Sequence, residues 1–217
     1  MPVITISRQY GSGGEAIGNR VCEALGYSYF DKDLMAHVAS EAGISEDDIV
    51  DFSEHAYKMR GFFDRLFGRR RSAAEAWTDT IAQQTLSVEA LDEARNVNLI
   101  KDTIIEAYKH DNVVIVGRGG QAILREQPGV LHVRIIAPLG ARVLRVQAEQ
   151  NLSLDEATLR VKRRDEAAAA YLERFYDIDW DNPLLYHLII NTGKWEVEDA
   201  VQIVLTALAH LRMVVNQ

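Results

Sequence analysis

The sequence predicts an α/β protein built on a five-stranded parallel sheet with helices on both faces, and three observations point there. Five short apolar runs occur, at 3–6, 27–30, 113–116, 131–136 and 187–190. Between them the apolar residues repeat at helical rather than alternating spacing. Strands that alternate with helices pair in parallel, because the crossover helix returns the chain to the same end of the sheet. Two of the runs are also followed by glycine clusters, Gly11-Ser12-Gly13-Gly14 and Gly117-Arg118-Gly119-Gly120. In open parallel sheets the turns after the strands form the edge where ligands lie.

Composition limits the possibilities. A chain of 217 residues, 47% apolar and 26% charged, fits one domain (1–217) with a substantial buried core. A net charge of −8 argues against broad nucleic-acid binding, so any phosphate site has to be built locally. The chain starts directly in a strand, without a basic-then-apolar leader, and no apolar run approaches a membrane span. A cytoplasmic protein without a membrane partner is expected. Cys22 is the single cysteine, which excludes an intrachain disulfide, and its place beside Val21 and Leu25 reads as a buried helix thiol. The six histidines show no ligand spacing, and neither a G-x-S-x-G elbow nor a G-x-G-x-x-G dinucleotide loop is present.

In chain order, Val3, Ile4 and Ile6 make the first strand, Gly11 to Gly14 break it, and Ile17, Val21 and Leu25 open an amphipathic helix. Strand, glycine loop and helix in that order can converge backbone N–H groups on an anion at a helix N-terminus. An ordinary strand-to-helix turn gives the same pattern. The loop is not a regular Walker A motif, since Arg8, Gly14 and Glu15 stand where that motif has its first glycine, its lysine and its hydroxyl. Tyr27 to Phe30 form a second strand ending at Asp31, which is placed either to handle metal or substrate or to cap the helix carrying Leu34, Met35, Val38 and Ala39.

Residues 44–110 read as almost wholly helical, with start signals at Ser45 to Asp48 and Ser72 to Glu75. Arg60, Arg65 and Arg69 to Arg71, interleaved with Phe62, Phe63 and Phe67, form a basic patch that suits an anionic substrate or a partner but reads first as a solvated helix junction. Val113 to Val116 have the continuous apolar character of a buried strand. Arg118, between glycines at its end, is hard to explain by packing and suits a phosphate clamp. After the fourth strand, Arg142 and Arg145 lie on neighbouring faces of a helix. Ser153 and Glu156 form a capping box for the next helix, which bears Arg160, Lys162, Arg163, Arg164 and Asp165. Arg163 and Arg164 point about 100° apart, so at least one turns toward the protein body. Tyr171 to Pro183 reads as a loop, His187 to Ile190 as the last strand, and Val197 to Val215 as a final amphipathic helix.

Six segments together, I-T-I-S-R-Q-Y-G-S-G-G (4–14), F-D-K-D-L (30–34), V-I-V-G-R-G (114–119), V-R-I-I-A-P (133–138), R-R-D (163–165) and Y-H-L-I-I-N-T (186–192), resemble the cytidylate kinase-like branch of the nucleoside monophosphate kinases. The resemblance implies a three-layer P-loop NTPase-type fold with a helical acceptor-binding insertion at about 33–110 and a lid at about 151–182. It implies phosphoryl transfer from ATP, with Mg2+, to a nucleoside monophosphate such as CMP or dCMP, in a monomer or homodimer. Gly11, Ser12, Gly13 and Gly14 would hold the donor phosphates, with Arg8, Arg142 and Arg145 on the donor side. Asp31, Arg118 and Asp165 would bind the acceptor, and Asp31 or Glu15 are the carboxylates available to magnesium. Arg163, with Arg164 beside it, would reach the transferred phosphoryl group. Two departures stand out. Glu15 replaces the basic residue common after the second glycine, leaving Arg8 as the nearest compensating cation, and Gly119 replaces the aspartate of true cytidylate kinases. These departures leave open a non-catalytic nucleotide binder and a kinase for a non-nucleotide metabolite.

Overall fold

The computed structural model describes residues 2–30, 97, 100–105, 107–109 and 111–215, with side chains to 211. Its centre is a five-stranded parallel sheet in the order β2-β3-β1-β4-β5. The strands are β1 (Val3–Arg8), β2 (Ser28–Phe30), β3 (Val113–Val116), β4 (Val130–Ile136) and β5 (Leu188–Asn191). Around it lie α1 (Gly14–Leu25), α2 (Gly120–Ile123), α3 (Leu139–Gln150), α4 (Leu154–Tyr176) and α5 (Val197–Val215), and residues 100–105 and 107–109 are also helical. Asp31, most of the expected insertion at about 33–110 and the Arg69 to Arg71 cluster lie outside the described residues.

Side chains alternate across a strand, and β1 shows what each face requires. Ile4 and Ile6 point with Val114, Val116, Leu131, Val133 and Ile135 into a core closed by Ile17, Val21 and Cys22 of α1 and by Ala200, Val201, Val204 and Leu208 of α5. Each fully buried Val, Leu or Ile contributes roughly 1.5–3 kcal/mol by leaving water. Cys22 is buried as its spacing predicts, and burial pushes its thiol up to about 11, well away from thiolate chemistry.

On the opposite face Val3, Phe30, Val113, Ile115 and Val130 meet Ile100, Ile104 and Leu124. This face turns polar toward β4, where Thr5, Ser7, His132 and Arg134 are all buried. Arg134 satisfies its guanidinium by donating to Ser7 Oγ (3.2 Å), the Tyr186 hydroxyl (3.1 Å) and Asp181 Oδ1 (2.5 Å), and it stacks 4.3 Å from the Trp180 ring. One buried cation therefore docks the whole 180–186 segment onto the sheet.

The capping box at Ser153 and Glu156 forms as the sequence predicts. The expected loop from Tyr171 to Pro183 is corrected, because α4 continues to Tyr176. Tyr171, Leu172 and Phe175 recur at helical spacing and pack with Trp180 and Ala168, so burial carries the helix on until Asp177 turns left-handed at φ 51°.

Candidate functional site

β1 lies between β3 and β4, so the turns leaving β1 and β3 emerge side by side at the C-terminal edge, and Gly117 N donates to the Ile6 carbonyl at 2.9 Å. In the first loop Gly11 and Gly13 have φ of 75° and 81°, a region that penalises a Cβ. Gly13 caps α1 without a side chain. The first N–H groups of a helix have no carbonyl within it to bind, and the helix dipole adds partial positive charge there. The loop is thus furnished for an anion. Between its glycines Ser12 is fully buried, with no hydrogen-bond partner for its Oγ.

The loop is gripped from behind through its carbonyls. Thr192, just past β5, donates from Oγ1 to the Ser12 carbonyl at 2.7 Å. Arg145 of α3 donates to Thr192 Oγ1 (3.0 Å), the Thr192 carbonyl (2.7 Å) and the Gly11 carbonyl (3.4 Å). None of these bonds uses a loop N–H. At Gly14 a Cβ would sit 2.5 Å from Arg8 Cβ and 3.0 Å from its Cγ, so the Arg8 stem fills the space a Walker lysine needs. Arg8 in turn donates to Glu15 Oε1 at 3.1 Å, which offsets the negative charge that the carboxylate brings to the loop.

The second loop is left-handed at Gly117, Arg118 and Gly119, with φ of 77°, 55° and 74°. Arg118 is half-buried and its charge reaches Tyr171. A Cβ at Gly119 would meet Tyr176 Cε2 at 2.8 Å, so the ring of Tyr176 stands where the family aspartate would project. Burial pushes the Tyr171 and Tyr176 phenols upward, keeping both neutral, with their hydroxyls 3.4 Å apart.

The basic helices divide their charges unequally. Arg142 is 5% exposed and donates to the Ala137 carbonyl (2.9 Å), the Tyr10 carbonyl (3.1 Å) and Asp165 Oδ2 (2.5 Å). Asp165 also accepts from Tyr10 N at 2.9 Å. These two residues therefore join α3, α4 and the start of the first loop, and any contact with a substrate would be additional to that task. Arg164 turns inward, 5.4 Å from the Tyr10 ring, while Arg163 is exposed.

The model of the cytidylate kinase-like family matches residues 3–194. The chain belongs to that family. Within it, a cytidylate kinase from Pyrococcus horikoshii is 27% identical over 210 residues, covering 96% of this chain and 89% of the relative. Among solved structures, an uncharacterized protein from Eubacterium ventriosum aligns over 96% of this chain and 99% of its own, with a TM-score of 0.66 at 19% identity. A gluconokinase from Sinorhizobium meliloti aligns over 99% and 95%, with a TM-score of 0.55 at 11% identity. The fold is that of the P-loop kinases, and family membership supports a phosphotransferase.

A kinase of this family would use ATP with magnesium, and the uncapped N–H groups at the head of α1 suit a metal that arrives bound to phosphate. No group of three or more His, Cys, Asp or Glu among them could cage an ion, and Glu15 is engaged by Arg8. No helix among the described residues is long and apolar enough to cross a membrane. Thr192, Tyr176, Tyr10 and Arg134 escape sequence reasoning as site or support residues. Tyr10, Arg134 and Thr192 do lie inside the segments that carry the resemblance, and Arg134 also stands out as a charge inside the apolar run of β4.

Proposed function

We propose that the protein is an ATP-dependent nucleoside monophosphate kinase, with CMP or dCMP as the first acceptors to try. The observation that carries this reading is the pairing of two glycine loops on neighbouring parallel strands, one rich in backbone N–H groups and one bearing Arg118. In this reading Gly11 to Gly14 hold the donor phosphates through their amides, and Arg118 holds the acceptor phosphate. α4 serves as the lid, delivering Arg163 to the moving group while Arg164, seated on Tyr10, sets the helix against the donor loop. Asp31, which ends the second apolar run, is the acidic residue assigned to the acceptor and magnesium.

The reaction needs no protein nucleophile. An acceptor phosphate oxygen, already an anion at neutral pH, forms a bond to the γ-phosphorus of ATP. The bond to the β–γ bridging oxygen breaks, and ADP leaves with that electron pair. Positioning and charge stabilisation supply the acceleration. Bound magnesium would add positive charge on the phosphate oxygens.

A second reading is favoured by one observation. Tyr176 covers Gly119, so the contact made by the family aspartate is absent, and a kinase for a non-nucleotide metabolite fits that change. Purified protein with magnesium and ATP, screened against nucleoside monophosphates and small alcohols for ADP release, separates the readings. ADP formed with CMP or dCMP supports the first, and ADP formed only with a non-nucleotide supports the second. Nucleotide-induced stabilisation without turnover of any acceptor overturns both in favour of a non-catalytic binder. In the active protein Arg163→Ala is expected to lower kcat by roughly 100-fold or more with little change in Tm. A mild effect would remove Arg163 from the transfer step.

A further inference from the structure

Arg8 is the last residue of β1, and its side chain lies between the two glycine loops. Its stem packs on Gly14, Nη2 donates to Glu15 at 3.1 Å, and Nη1 would lie 2.8 Å from a Cβ at Gly117. One guanidinium therefore touches both the loop proposed for the donor and the loop proposed for the acceptor. A purely structural strut would have its buried donors satisfied. Arg8 Nε is instead buried without a hydrogen-bond partner, while the Glu15 side chain it pairs with is 66% exposed. Exposed ion pairs of this kind are weak and exchange readily, and a phosphate offers a guanidinium a better bidentate partner.

We propose that Arg8 is a second cation on the phosphoryl group in transit beside Arg163, in place of the lysine that Gly14 excludes, and that Glu15 is a positioning residue which holds the guanidinium until phosphate displaces it. This rests on the reading that the first loop binds a triphosphate. It accounts for Gly14 and Glu15 together. The glycine admits the Arg8 stem, and the carboxylate keeps its head between the loops.

The test is calorimetric binding of ATP and ADP without acceptor, across wild type, Arg8→Met, Arg8→Lys, Glu15→Gln and the Arg8→Met/Glu15→Gln double variant, with Tm measured for each. Arg8→Met is expected to weaken ATP roughly 10- to 100-fold and ADP by much less. Arg8→Lys should recover part of the loss. Glu15→Gln should tighten ATP several-fold with Arg8 present and not in the Arg8→Met background, the non-additivity that marks a shared contact. Equal weakening of ATP and ADP, or none, would overturn the Arg8 assignment. An equal gain from Glu15→Gln in both backgrounds would mean that the carboxylate repels phosphate directly, which overturns its positioning role. If wild type binds ATP but phosphorylates no monophosphate, the acceptor reading fails while the cycle still decides Arg8. If wild type binds no ATP, both fall.

Discussion

The loop after β1 and the loop after β3 stand side by side at one edge of the sheet, each with two left-handed glycines ahead of a helix, yet they are built for different work. The first opens a helix of twelve residues, spends its Ser12 N–H on the Gln9 carbonyl at 3.2 Å, and is gripped from behind through the Gly11 and Ser12 carbonyls. The second opens a helix of four residues, too short for a useful dipole, and is packed by Tyr176 on one side and Arg8 on the other. In the proposed function its chemistry resides in the side chain of Arg118. The same glycine punctuation thus serves, in that reading, a backbone phosphate site in one place and a mount for a side chain in the other. What distinguishes them is the neighbour that fills the space beside each glycine.

Restoring the Walker lysine is the strongest way to break this contrast. Gly14→Lys would drive a Cβ into the Arg8 stem, whose nearest atom is 2.5 Å away. We expect a loss of about 3 kcal/mol in urea unfolding and weaker ATP binding despite the added positive charge. Tighter ATP binding at unchanged stability would show that the Arg8 stem is no barrier. A comparable effect is expected from acid, acting on β1, the strand from which the first loop leaves. His132 is 3% exposed and its Nδ1 lies 2.7 Å from Thr5 Oγ1 of β1. Burial, then the neighbouring His187, lowers its pKa from 6.5 to about 4. The unfolded chain therefore binds the proton more readily, so stability is retained above pH 6.5 and lost as pH falls toward 4, by on the order of 3 kcal/mol. Unfolding titrations of wild type and His132→Leu should differ in slope across that window, and parallel slopes would exclude His132 as the source.

Gly119→Asp sharpens the second half of the contrast. The position has φ 74° and faces the Tyr176 ring at 2.8 Å, so the aspartate of the family pattern costs about 2 kcal/mol here and does not improve turnover of CMP. Improved CMP turnover without a stability loss would mean that Tyr176 yields easily and that Gly119 alone sets the acceptor.

These outcomes turn on contacts that sequence periodicity does not carry. The strands and the terminal helix Val197–Val215 were readable because burial imposes a period on nearby residues, and the capping box because its partners are three residues apart. Tyr171 to Tyr176 reads as loop from sequence because aromatic and acidic composition outweighs the helical spacing of Tyr171, Leu172 and Phe175. Arg142 with Asp165, separated by 23 residues, and Tyr176 beside Gly119 are pairings that only the folded crossing of elements creates. Arg8 with Glu15 lay closer to hand, since seven residues that include a tight turn bring them together, and the charges alone pointed to it.

The smallest expected effect tests the grip that holds the first loop in the shape the proposed function needs. Thr192 is 180 residues from Ser12, yet its hydroxyl both donates to the Ser12 carbonyl and accepts from Arg145. Thr192→Val keeps the shape and removes both bonds, leaving a carbonyl and a guanidinium N–H short of a partner at a buried position, for a loss of about 1 kcal/mol. Because the bonds orient the loop rather than touch phosphate, the KM for ATP should rise a few-fold while kcat changes little, and Thr192→Ser should restore it by keeping the hydroxyl. The same rise in the serine variant would trace the effect to the methyl group and its packing. The grip on the loop carbonyls would then rest on Arg145 rather than on the Thr192 hydroxyl.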